Sequence, residues 1–294
     1  MAGKASNAQS TDGRLKSLEI LLDPTGEMLL QEAYDGLIEN IQKNAVSMEL
    51  KNTDLSGDPT AGTVEAKRFA NATSQDYGTA RTAGSGNKVK GKTVTIPIDI
   101  NKEFVEEVEQ KDVSLIGVDG LIAKRSANHL RRLEAELDKA FFECAKTEGT
   151  QFKPAATVTA LQDQIEASFV TFETMKTDYI DGIDRDMLTV VCSPETYSEM
   201  RKYLDTVQNS SVNTAPYEFG MYHGVRIINS NRLPFGVKFI TMMAGSIAQP
   251  LRTNAYSAEK IPMSEAFAIE LFYWYGVKAV TPETVLWFDG TFAE

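Results

Sequence analysis

Two histidines, two cysteines and one cluster of glutamates are the side chains in this 294-residue sequence whose types invite chemistry. His129 lies beside Arg131 and Arg132, and His223 just precedes an apolar run. Neither has a GxSxG serine or a second histidine at metal-ligand spacing, so each reads as a core or solvent-facing residue. Cys144 and Cys192 are too few for a disulfide framework or a zinc site and read as small core residues. Glu103, Glu106 and Glu107 would make a metal or acid-base cluster only with an opposing ligand set; without one they read as a solvated face. Gly84-Ser85-Gly86 is followed by no GK[ST] and leads into a strand, which argues against a phosphate loop. No catalytic, cofactor-binding or metal residue is assigned, no cofactor is expected, and the chain does not read as an enzyme.

The elements that would position such residues are organised around residues 112–149. Leu130, Leu133, Leu137, Phe141 and Ala145 recur at steps of three and four, the stripe of an amphipathic helix, and the first four are its expected core contacts. Arg132 with Glu136 and Lys139 with Glu143 stand four apart on the other side, and Gly149 offers a stop. From Gly120 to Glu148 such a helix would span roughly 45 Å at ~1.5 Å per residue, the length of a strut.

Around the strut, about 25 residues of low apolar content form an N-terminal arm ending in a turn at Asp23-Pro24-Thr25-Gly26, and residues 28–45 read as a short amphipathic helix. VSMEL reads as the start of a strand, residues 51–92 as a long loop, residues 93–100 as a half-buried strand with Pro97 at an edge, and NKEFVEEVEQKD as one or two helical turns. A helix is expected from near Thr157, a buried strand over residues 187–192, and a helix capped by Ser193 with Pro194 at its first position. NSSVNTAPYEFG reads as a loop, HGVRIINS and VKFITMMA as strands, and residues 266–280 and 285–288 as two closing strands. The class is α+β, with the N-terminal half and the last forty residues in one layered unit and residues from about 155 to 250 inserted as a second.

A net charge of -11 argues against a protein built to grip nucleic acid, without excluding nucleic acid nearby, and no apolar run is long enough for a membrane span. The polar N-terminus suggests a protein made and kept in a cytoplasm. Within this acidic chain residues 51–92 are basic, seven Lys and Arg against four Asp and Glu. That loop reads either as a solvated linker or as an arm docking on acidic surface of a neighbouring copy. In the docking reading Phe69 and Tyr77 are anchors, and Arg68, Arg81, Lys88 and Lys90 meet acids such as Glu134 or Glu136 of the neighbour's strut.

The order arm, short helix, basic loop, strand, strut, inserted domain and returning strands resembles the major capsid proteins of tailed bacteriophages, the Hong Kong type fold. The resemblance rests on YGTARTAGSGNKVKGKTVTIPIDINKEFVEEVEQKD leading into LIAKRSANHLRRLEAELDKAFFECA, and on HGVRIINSNRLP and AFAIELFYWYGVKAVTPETV. It implies an arm and short helix over 1–45, an extended loop over 46–98, a peripheral domain with a spine helix over 99–154, an apical domain over 155–255, and C-terminal peripheral strands over 256–294. It further implies a coat protein that self-assembles as pentamers and hexamers into an icosahedral head around double-stranded DNA, assembled in a host bacterial cytoplasm and located in the virion capsid. Scaffolding, portal and decoration proteins are the implied partners, with no membrane and no sequence-specific DNA contact. An encapsulin-like compartment shell of a bacterium is the alternative on the same fold.

Overall fold

Residues Gly117–Glu148 form one continuous 32-residue helix, the longest element of the chain. The computed structural model describes residues 17–293 except 73, 85, 87, 114, 115 and 207–218. Most of the arm, and nearly all of the 209–220 loop expected above, therefore lie outside the described residues. In chain order the helices are α1 (Pro24–Asn44), α2 (Val46–Leu50), α3 (Thr79–Ala83), α4 (Gln110–Val113), α5 (Gly117–Glu148), α6 (Leu161–Glu173) and α7 (Pro194–Thr206). The first strands are β1 (Thr63–Phe69), β2 (Gly91–Pro97), β3 (Ile100–Val108), β4 (Thr150–Gln151) and β5 (Leu188–Cys192). They are followed by β6 (Met221–Tyr222), β7 (Val225–Asn229), β8 (Phe239–Met243), β9 (Ile247–Ala248) and β10 (Leu251–Thr253). The last are β11 (Ser257–Lys260), β12 (Phe267–Tyr275), β13 (Lys278–Ala279) and β14 (Val285–Phe288).

The chain divides into two units: Met1–Glu49, Ile98–Leu137 and Leu251–Gly276 form the first, and Leu50–Pro97, Asp138–Pro250 and Val277–Glu294 the second. The first is built on β12. Its alternating burial, with Phe267, Ile269, Leu271, Tyr273 and Tyr275 all buried, is the period-2 pattern of its sequence. β3 pairs with it antiparallel over nine residues, from Phe267↔Val108 to Tyr275↔Ile100, while β10 and β11 share its other side. Helix α5 is tied to β12 through Glu136, whose two oxygens accept from the hydroxyls of Tyr273 (2.9 Å) and Tyr275 (3.0 Å). Glu136 is also 3.7 Å from Lys102, so the expected partner Arg132 is not what it serves.

The second unit holds a six-stranded sheet in the order β4-β14-β8-β5-β7-β6. Central β5 is buried along its whole length, parallel to β7 and antiparallel to β8. Ile165, Phe169 and Phe172 of α6 and Tyr197 and Met200 of α7 join the same core. Full burial of each such aliphatic or aromatic side chain is worth about 1.5–3 kcal/mol. Ser193 caps α7 by accepting from the Thr196 amide at 3.3 Å.

Several local expectations are corrected. Asp23-Pro24-Thr25-Gly26 opens α1 with Pro24 at the first helical position, where its missing N–H costs nothing, and is not a free turn. VSMEL is a helical turn and not a strand, a distinction five residues are too few to show by periodicity, and Ser47, Met48 and Leu50 are buried. NKEFVEEV is a strand despite its helix-favouring Glu and Lys, since the nine-residue ladder to β12 satisfies its backbone. Residues 51–92 are not structureless: they contain β1 and α3. Helix α6 starts at Leu161, four residues after Thr157. Strand β14 lies in the six-stranded sheet, next to β8 and β4, and not in the sheet of β12.

Candidate assembly surface

Strand β1 carries Val64, Ala66 and Arg68 on one face by simple alternation, and that face is turned inward. Val64 and Ala66 are buried, as is Ile96 opposite on β2, and the two strands pair antiparallel from Thr63↔Pro97 to Phe69↔Gly91. Arg68 completes the buried face. Both its terminal nitrogens reach Glu283, and its guanidinium stacks 4.3 Å from the ring centre of Tyr179. Only 9% of the Arg68 side chain is exposed, and within its own chain this arginine is already paired.

Beyond this base the character changes. The ladder runs one step further, the Ala70 amide donating to the Lys90 carbonyl at 2.9 Å, and the Asn71 amide donates to the Asp178 carbonyl at 3.1 Å. From there Phe69, Tyr77 and Val89 are all exposed large apolar side chains, Tyr77 at 92%. Arg81 lies over the Tyr77 ring at 5.3 Å, and Lys88 and Lys90 are exposed. Glycines set the α3 turn: Gly78 precedes it at φ 96° and Gly84 ends it at φ 71°, a region L side chains avoid. The result is a seven-pair hairpin, anchored in its own unit at the base, with an apolar and basic end that the described residues leave uncovered. Apolar anchors ringed by cations are suited to docking on an acidic protein surface.

On the strut, Leu133, Leu137 and Phe141 are completely buried, whereas Leu130 is half-buried. The acids nominated above as acceptors for the loop are otherwise engaged or covered. Glu136 serves two tyrosines and Lys102, and Glu134 is only 8% exposed.

Each histidine enters an ion cluster with a glutamate and an arginine. His129 is buried, stacked on Phe104 at 4.7 Å, with Nδ1 2.9 Å from the Tyr256 hydroxyl and Nε2 3.2 Å from Glu106 Oε2. Arg125 grips both oxygens of the same carboxylate. The Arg125 hydrogen bonds hold Glu106 below the usual carboxylate range, and burial pushes His129 below the usual imidazole range. His223 Nδ1 contacts Glu166 at 2.8 Å, and Arg185 bridges Glu166 and Glu173. Burial raises both thiols, Cys144 and Cys192, to about 12, which leaves them protonated and inert. Among the described residues no three His, Cys, Asp or Glu side chains are placed to hold a metal ion, and no helix is long and apolar enough to cross a membrane.

Sequence comparison finds no matching family profile and no matching curated protein. Comparison of the fold does find matches. A structure from Mycobacterium phage Che8 superposes with a TM-score of 0.60 at 22% identity, covering 85% of this chain and 93% of that one. The capsid structure of cyanophage P-SCSP1u gives a TM-score of 0.61 at 14% identity, with 85% and 89% covered. A virus-like particle from Pyrococcus furiosus gives 0.53 at 11% identity, with 87% and 97% covered. The chain therefore has the fold of phage major capsid proteins, the Hong Kong type expected from the order of its elements.

Proposed function

We propose that this chain is a structural shell protein, the major capsid protein of a tailed bacteriophage, whose copies assemble as pentamers and hexamers into an icosahedral head around double-stranded DNA. The observation that carries the reading is the agreement in fold with phage capsid structures over 85% of the chain, including nearly the full length of the Che8 chain. The hairpin supports it. An apolar and basic surface left open on an acidic chain fits a contact made by a second copy. In this reading Phe69, Tyr77, Arg81, Lys88 and Lys90 are the intersubunit contacts, while Arg68 holds the hairpin in place. Leu133, Leu137 and Phe141 give the spine helix its core.

The role is mechanical, with no reaction assigned to it. The net charge of -11 suits a shell whose inner wall must not bind its polyanionic contents. Scaffolding, portal and decoration proteins belong to the same proposal, as does assembly in the host cytoplasm. Expression of the full chain followed by size-exclusion chromatography and negative-stain microscopy is the direct test. Closed megadalton particles or ring-shaped capsomers are expected; a small oligomer that never closes at any concentration would overturn the reading. Particles filled with a protein cargo instead of nucleic acid, when isolated from their natural host, would point to a compartment shell.

A further inference from the structure

Between α1 and the first half of α5, both in the first unit, lies an open cleft of about 410 Å³. Its walls are Leu29, Ala33 and Leu37 from one helix and Ile122, Ala123 and Leu130 from the other. Gly36 widens it. Glycine is a weak helix former, this one has no positive φ, and a side chain in its place would meet nothing within 4 Å, so nothing described inside the subunit calls for it. Glu32 and Asp119 are exposed on the rim, and no cation is among the residues that line the cleft. Asn40 lends an acceptor: its side-chain nitrogen donates to the Gly36 carbonyl at 2.7 Å, which leaves its oxygen for a hydroxyl.

The end of the β1–β2 hairpin has the matching chemistry. Tyr77 is almost wholly exposed and carries Arg81 over its ring, so an aromatic side chain and a cation are presented together. Lys88 and Lys90 stand exposed on the returning segment, on either side of the exposed Val89. A ring that is apolar along its faces and ends in a hydroxyl suits a groove with aliphatic walls and one acceptor. The cations beside it suit the carboxylates of the rim. The strut acids expected from the sequence fit less well, since Glu136 is held by Tyr273 and Tyr275 and Glu134 is buried.

We infer that the α1–α5 cleft receives the hairpin end of a second copy: Tyr77 enters between the two helices with its hydroxyl on Asn40, and Arg81 and Lys88 face Glu32 and Asp119. The inference rests on the shell reading and deepens it, by naming the surface on which one copy receives the next. The buried ring supplies the anchor, and the charges on the rim select its register.

The full chain with the photoreactive amino acid benzoylphenylalanine in place of Tyr77 tests it, assembled from equal parts of ordinary and heavy-nitrogen-labelled protein and then irradiated. Mass spectrometry should map the adducts to residues 29–40 and 119–130, with light chains joined to heavy ones. Gly36→Trp should fill the cleft without disturbing the helix, so the soluble subunit keeps its urea midpoint while adducts and closed particles are lost. With Tyr77 in place, Glu32→Lys with Asp119→Lys should lower the yield of closed particles roughly five-fold, the size expected of two exposed ion pairs. Arg81→Glu with Lys88→Glu on that background should restore it. Particles whose adducts lie elsewhere, or adducts that never join a light chain to a heavy one, would overturn the inference and leave the shell reading standing. So would Gly36→Trp particles that close as the parent does, or a charge reversal that has no effect or is not rescued. A parent chain that forms no particles or capsomers would remove both.

Discussion

His129 and Glu106 meet across the first unit, imidazole Nε2 to carboxylate oxygen at 3.2 Å, while Arg125 already occupies both oxygens of that carboxylate. Protonating the ring would place a second cation beside Arg125, sharing one anion in a buried place. The groups that face the ring, Glu106 on β3, Arg125 on α5 and Tyr256 ahead of β11, include no further carboxylate to balance it. The cluster therefore joins strand to strut best with His129 neutral.

Stability should accordingly fall in acid. A folded-state imidazole held below its ordinary value of 6.5 binds fewer protons than the unfolded chain, so its contribution is complete above 6.5 and is lost as the pH falls. Glu106, held below 4.5, adds a second loss in the same direction beneath that value. Urea midpoints should decline between pH 7 and pH 5, and His129→Gln should flatten that first decline. An identical pH slope in the variant would remove His129 as its source.

Leu137 lies wholly buried on α5, so Leu137→Ala should cost about 2–5 kcal/mol in urea unfolding. Lys139, two residues on and exposed, should cost less than about 0.5 kcal/mol as Lys139→Ala. Similar values for the two would mean that the stripe does not support the fold.

The Arg68–Glu283 pair can be weighed in a double-mutant cycle. Removing either partner strands the other in a largely dry place, so the coupling energy of Arg68→Ala with Glu283→Gln should be about 1–3 kcal/mol. Arg68→Lys should not rescue, because an ammonium can neither span both oxygens nor stack on Tyr179 in the same way. Coupling near zero would show that the hairpin base is held by Val64, Ala66 and Ile96 alone.

Free subunits should bind duplex DNA weakly, with no saturated gel shift at nanomolar protein in physiological salt, because the acidic surface repels phosphate. Tight binding there would remove the electrostatic account of a shell that does not hold its contents.

Much of this fold is legible where a pattern has one physical solution. Leu188–Cys192, apolar but for Thr189 and rich in β-branched residues, reads as a buried strand, and the stripe through Leu133, Leu137 and Phe141 reads as a helix face. Misreadings arise where propensity and partner disagree. The run from Asn101 to Glu107 favours a helix by residue type, and only β12, some 160 residues later, makes it a strand. With β3 misplaced, Glu106 could not be joined to Arg125 and His129, although those two stand one helical turn apart. Arg68 was legible in principle. Alternation from Val64 through Ala66 puts it on the inner face, but Glu283 and Tyr179 are too distant in sequence to nominate.

The exposed end of the hairpin distinguishes a shell protein from a protein that works alone. Replacing residues 72–88 with a short Gly/Ser turn keeps β1, β2, the Arg68–Glu283 pair and the Ala70–Lys90 hydrogen bond, so nothing buried in the described part of the hairpin base is removed. Shortening a loop alters stability only slowly with length, and the soluble subunit should unfold within about 1 kcal/mol of the parent. Closed particles should nevertheless be lost, because Tyr77, Arg81 and Lys88 go with the deletion. Phe69→Ser with Tyr77→Ser, which leaves the backbone whole, should weaken assembly in the same direction. If the shortened chain still closes into shells of normal size that resist high salt under the microscope, the hairpin end is a solvated excursion, and the contact between copies must be sought on another surface.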